Sequence, residues 1–296
     1  MQHPECRRTG HTNGTGSRTT GAARFVAGPE VRDAIAVAAR LRETNRMTAL
    51  LPLTAEDTDR FAAHLMDTLP ALAANPLPGP RAFDLTLSAA GLTVQEVATI
   101  VGHAARADVT VTLSPVGHRD VDDLLALAEG VRREHETIGV AIDASLHRSD
   151  RDCLELAEQG ARVRLLRRTE SAPRSVAWQD PNEIDLAFAR CLRALVPAPG
   201  YLAVATWQQR LIDVTGSVAA LHDRDPATFE YTLPLGVRAD EQRRIADAGQ
   251  QLRVLVPYGP RWRPYVRERM AERPRAGVQA VWRSVRPRSA PIIDES

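Results

Sequence analysis

Short apolar runs recur along this chain. Each is followed by a polar turn and then by a longer stretch whose apolar residues return every three or four positions. The runs are MTALL (47–51), FDLTLS (83–88), VTVTL (109–113), GVAID (139–143), ARVRLL (161–166), YLAVAT (201–206), FEYTL (229–233) and LRVLV (252–256). They are short, rich in Val, Leu and Thr, and bounded by turn residues, so they read as strands. The stretches between them read as helices: one opened by Thr54 as N-cap, then 94–104, 121–134, 151–158, 182–195, 208–221, 239–248 and 262–272. A further helix over 29–44 precedes the first strand and would cap the barrel bottom or pack outside.

Strands that alternate with helices make a parallel sheet, because parallel neighbours need a crossover between them. Eight such units close a barrel, so the pattern predicts an α/β fold, a (β/α)8 TIM-like barrel with an N-terminal helix. An open doubly wound sheet is the alternative. No strand is followed by Gly-x-Gly-x-x-Gly, which disfavours a dinucleotide-binding version of it. In a barrel the chemistry belongs at the carboxyl ends of the strands. Arg162 and Arg164 sit inside a predicted strand, where a buried charge needs a partner.

Residues 1–22 and 286–296 are polar and without period, and they are predicted to be disordered tails around a barrel spanning 23–285. The 296 residues are 44% hydrophobic and carry a net charge of +1, which leaves no basic footprint for nucleic acid. There is no lysine among the 38 basic residues, so Schiff-base, P-loop and lysine-base chemistry are all excluded. Three scattered cysteines, Cys6, Cys153 and Cys191, argue against a disulfide framework and for a reducing cytoplasm. No leader or membrane-spanning run is legible. The histidines lack metal-binding spacing, and there is no Gly-x-Ser-x-Gly elbow.

Several runs carry a more specific message. Residues 162–170 (RVRLLRRTE) resemble the "RVRLVKGAY" strand of bacterial proline dehydrogenases, and 175–180 (SVAWQD) resemble the segment after it. GYLAVAT (200–206) resembles "YPMVATHD", FEYTLPLGVR (229–238) resembles "FEYQMLYGVR", and VLVPYG (254–259) with WRPYVRERMAERP (262–274) resembles "VYVPYG…WYGYFMRRLAERP". The likeness runs in unbroken order over about residues 24–285. It implies a distorted barrel with FAD over its carboxyl end, oxidation of L-proline to Δ1-pyrroline-5-carboxylate, and electron delivery to a quinone, with the flavin supplying the difficult chemistry.

The resemblance assigns Arg164, Thr206, Trp207 and Glu230 to the cofactor side and Tyr265 and Arg269 to the substrate. It also marks losses. The family's strand lysine falls at Thr86, an aspartate at Thr112, a glutamine at Asp143 and a tyrosine at Ser145. The "VKGAY" lysine, glycine and tyrosine fall at Arg167, Arg168 and Glu170. The "ATHD" histidine falls at Trp207, a glutamine at Thr232, a tyrosine at Leu255, and the first of two paired arginines at Glu268. Paired arginines clamp a carboxylate by charge-assisted bonds, so a glutamate there opposes that clamp. Two functions follow: a flavoenzyme with weakened or shifted activity on a proline-like substrate, or a catalytically inactive paralogue that binds a metabolite or a protein.

Overall fold

The computed structural model describes residues 23–53, 58–79, 81–88, 91–168 and 172–271. The predicted tails, the Thr54 cap and Glu170 lie outside the described residues, as do the side chains of Glu268 and Arg269.

Eight strands form one closed parallel barrel in sequential order. They are β1 (Arg46–Pro52), β2 (Phe83–Ser88), β3 (Val109–Ser114), β4 (Ile138–Asp143), β5 (Arg162–Leu166), β6 (Leu202–Ala205), β7 (Phe229–Pro234) and β8 (Leu252–Tyr258). The barrel closes where β8 pairs with β1, Ala49 opposite Leu255. Each predicted run forms a strand. The sixth is shorter than expected because Thr206 leaves the strand to serve the next helix: its Oγ1 accepts the Gln208 N–H at 3.2 Å.

The helices are α1 (Val31–Arg42), α2 (Thr58–Ala73), α3 (Val94–Arg106), α4 (Val121–Arg132), α5 (Ser149–Glu158), α6 (Pro181–Leu195), α7 (Gln209–Leu221), α8 (Ala239–Asp247) and α9 (Trp262–Ala271). Local chemistry sets several starts. Thr93 and Glu96 form a reciprocal capping box on α3, and Asp180 caps α6 with proline at the first helical position. α1 buries an apolar stripe of Ala34, Ala38 and Leu41 and packs against β1 and β8. It therefore covers the seam on the outside of the barrel and does not cap its bottom.

Alternation along the strands divides the core in two. Leu85, Val111, Val140, Val163, Val204, Leu233 and Val254 are buried in the apolar core between strands and helices. The intervening residues face the barrel interior, and many are polar: Asp84, Thr86, Thr110, Thr112, Arg162, Arg164, Glu230, Thr232 and Arg253, all buried. Barrel interiors are usually packed by branched aliphatic residues, so this charged filling is the unusual feature of the fold.

Candidate active site at the carboxyl mouth of the barrel

Five of the strands are buried along their length and open only at their last residue. Ser88, Ser114, Leu166, Ala205 and Pro234, the last residues of β2, β3, β5, β6 and β7, are each half-buried. These ends mark the mouth of the barrel, the end where barrel chemistry is found. One side of its rim is braced by residues 172–180, which fold back over the loop after β4. The Trp178 N–H donates to the Ser145 carbonyl at 2.8 Å, and the His147 N–H donates to Val176 at 2.9 Å. A small apolar cluster of Val121, Leu146, Ala172 and Ala177 lies beneath that brace.

Arg164 sits below the mouth. Its Nη2 donates to Asp84 Oδ2 at 2.7 Å and its Nη1 to Thr86 Oγ1 at 2.7 Å. β5 and β2 are not neighbours in the sheet, so this contact crosses the interior. Thr110 and Thr112 donate their hydroxyls to the other Asp84 oxygen, at 2.7 and 2.9 Å. Burial alone would raise the Asp84 pKa, but Arg164, Arg162 and Arg253 outweigh it and hold this carboxyl well below the usual range. Asp84 is thus an anion shared between arginines, and Arg164 is a cation with its charge matched.

A second network lies nearer the amino-terminal end. Arg253 Nε donates to Glu230 Oε1 at 2.7 Å, and the Tyr201 hydroxyl donates to Glu230 Oε2 at 2.8 Å. The Arg162 guanidinium stacks on the Tyr201 ring, 4.3 Å from its centroid. Arg253 also donates to the carbonyls of Thr48 and Arg81, both at 3.1 Å. Every polar atom of Glu230 is engaged here, at the second residue of β7 and away from the mouth.

The structure therefore separates the residues that the resemblance grouped together. Arg164, Thr206 and Trp207 lie on the carboxyl side. Thr206 is buried, and Trp207 beside it is 49% exposed, with its carbonyl fixed by Arg238 at 2.8 Å. Tyr265 is half-buried on α9, whose approach is anchored at the same end by the Arg261 N–H donating to the Leu53 carbonyl at 3.1 Å. Arg269 lies on α9 too. Glu230 belongs to the lower network. Arg167, at the position of a family lysine, is turned onto α6, where its Nε meets Asp185 Oδ1 at 2.6 Å. Asp84 escaped the sequence reading. The signal was present, because a carboxylate inside an apolar strand needs a buried partner just as Arg162 and Arg164 do.

Among the described residues three buried polar atoms here have no hydrogen-bond partner: Arg164 Nε, Thr232 Oγ1 and Ser145 Oγ. All belong to residues at or near the carboxyl halves of β4, β5 and β7. Each of these groups can donate, and buried donors are normally satisfied, so they fit a planar ring rich in acceptor atoms, the description of an isoalloxazine. The exposed Trp207 adds an aromatic face at the rim. Among the described residues no helix is long and apolar enough to cross a membrane.

The fold defines a (β/α)8 barrel with a candidate ligand site at the carboxyl end of its strands. Comparison with known proteins specifies it further. The chain is 27% identical over 265 residues to proline dehydrogenase 1 of Bacillus subtilis, covering 86% of this chain and 87% of that one. It is 31% identical over 140 residues to the proline dehydrogenase of Deinococcus radiodurans, covering 47% and 45% of the two chains. Proline utilization A from Bdellovibrio bacteriovorus, in a crystal structure inactivated by N-propargylglycine, superposes with a TM-score of 0.79 at 15% identity. That match covers 90% of this chain, which spans about a third (34%) of the larger protein. No family model matches the sequence. Over most of its length the chain is thus similar to bacterial proline dehydrogenases, at the low identity of a divergent relative.

Proposed function

We propose that this protein is a flavin-dependent oxidoreductase of a proline-like cyclic secondary amine, with low activity on L-proline itself. The observation that carries the reading is the Arg164 guanidinium, fixed at both nitrogen tips beneath the mouth with its buried Nε unpartnered. Arg164, Thr206 and Trp207 would hold the FAD, and Tyr265 and Arg269 the substrate. When bound, FAD accepts a hydride equivalent from the carbon beside the amine nitrogen, and a quinone is the acceptor that the family uses afterwards. Arg164 Nε would donate a hydrogen bond to the bound ring from a buried position. Thr86 stands where the family has a lysine and so removes a cation that would attract a carboxylate, Thr112 removes an anion, and by the same resemblance Glu268 stands where the family has the first of two paired arginines, an attractive charge exchanged for a repulsive one. The three scattered cysteines favour a cytoplasmic setting.

The absorbance spectrum of the purified protein, before and after reconstitution with FAD, tests the cofactor. L-proline-dependent dye reduction then tests the reaction. Flavin absorbance with weak reduction is the expected result. Absence of bound flavin after reconstitution would overturn it in favour of a non-catalytic metabolite-binding protein, the reading that the neutral Thr86 and Thr112 support.

A further inference from the structure

We propose that Asp84 is the positioning residue of this site: by holding the Arg164 guanidinium from the far side of the barrel, it leaves Nε as the atom offered to the flavin ring. The inference rests on the flavin reading above and concerns a residue which that reading does not use.

The geometry is specific. Asp84 Oδ2 takes Nη2 and Thr86 Oγ1 takes Nη1, each at 2.7 Å, so the two tips of the planar fork are pinned to β2 at residues two apart. A guanidinium held at both tips has one orientation, and its remaining Nε–H is fixed with it. Asp84 is itself held, because Thr110 and Thr112 both donate to its other oxygen. The arrangement contains more polar order than packing requires. A buried ion pair is seldom the most stable filling of a core, since apolar residues of similar volume usually do as well or better. Here one donor of the pair is also left unsatisfied, which costs stability unless a ligand meets it.

Position 112 provides a control. The Thr112 hydroxyl lies 2.9 Å from Asp84 Oδ1, so a carboxylate placed at 112 would reach the same part of the interior from the neighbouring strand. The anion can therefore be transposed between strands while Arg164 stays where it is.

The test uses full-length protein in three forms: wild type, the apolar pair Asp84→Leu with Arg164→Met, and the transposed pair Asp84→Ser with Thr112→Asp. FAD affinity is measured by quenching of flavin fluorescence, and the melting temperature is taken in parallel without FAD. The apolar pair is chosen because Asp84→Ala alone would strand a buried arginine and unfold the chain. It should melt within a few degrees of wild type, because Arg162 keeps Glu230 and the Tyr201 ring beside it, and bind FAD roughly ten- to a hundredfold more weakly, the loss of one hydrogen bond from a charged donor. The transposed pair should recover affinity to within a few-fold of wild type. A large fall in melting temperature for the apolar pair would show the ion pair to be structural and overturn the proposal. Wild-type affinity in the apolar pair would overturn it as well while leaving the flavin reading intact. Failure of the wild type itself to bind FAD would overturn both.

Discussion

Glu230 and Arg253 meet at 2.7 Å on adjacent strands, and neither side chain has any exposure to solvent. Tyr201 completes the carboxylate's bonding from β6's approach. The pair fills the amino-terminal part of the barrel, where a family enzyme's chemistry does not occur, so it should act on stability alone. Glu230→Gln removes one partner of a buried pair and should cost about 3–5 kcal/mol. Urea denaturation measures that loss. FAD affinity of the folded fraction should stay within about twofold of wild type, because the change lies outside the mouth.

The same buried carboxylates make the protein sensitive to acid. Burial opposes ionisation of Asp84 and Glu230, but their arginine partners dominate and depress both pKa values in the folded state. The unfolded values lie near 4. A carboxyl depressed on folding contributes stability that is present above its unfolded pKa and is lost as pH falls toward its folded pKa. Urea midpoints should therefore hold between pH 7 and about 5 and decline below about 4. The Asp84→Leu, Arg164→Met variant should show a shallower acid slope. Equal slopes would mean that Asp84 is not the depressed group.

Tyr231 and Tyr258 give the alkaline counterpart. Burial pushes both phenols up to about 12. Their neutral form is favoured in the folded state, so their stabilising contribution is complete below about pH 10, the unfolded value, and fades as pH rises through 12. Ultraviolet titration should find these two silent at pH 10.5 in the native protein and ionised once urea is added.

Trp207 should report on the ligand directly. It is 49% exposed at the rim, so Trp207→Ala should alter stability by no more than about 0.5 kcal/mol. Loss of a stacking partner should weaken FAD binding by about three- to tenfold. Unchanged affinity would remove Trp207 from the site.

Gly259 links the last strand to α9. Its φ is +125°, and a Cβ there would lie 2.5 Å from the Leu53 carbonyl oxygen, the atom that also accepts the Arg261 N–H. Gly259→Ala should cost about 1–3 kcal/mol through backbone strain, measurable by denaturation. It should also weaken substrate binding, because the start of α9 is displaced from the mouth.

The barrel was legible because its signal is redundant. Eight runs with apolar residues on their outward faces, each followed by an amphipathic stretch, leave few other solutions. The extent of α5 was less legible. It starts at Ser149, earlier than its apolar period, where the Ser149 hydroxyl donates to the Asp143 carbonyl and Arg148 pairs with Asp152 at 2.6 Å. For the candidate site, only the placement of its residues can be compared with the sequence. Motif order brings Arg164, Thr206 and Trp207 to the carboxyl side of the barrel. Glu230 instead lies second in β7, bonded to Arg253 and Tyr201 in the lower network. Asp84 was invisible to motif order, since its partner is 80 residues away on a strand that does not touch its own.

Helix α1 rests partly on β8, the strand farthest from it in sequence among the described residues. α1 buries Ala34, Ala38 and Leu41 against a surface to which β8 contributes beside β1, so a nascent chain must carry part of that stripe uncovered until nearly the whole barrel has left the ribosome. Such long-range closure makes folding slow and leaves the unfinished chain open to aggregation. Expression yield should thus depend on chaperone supply more than the stability of the finished barrel would imply.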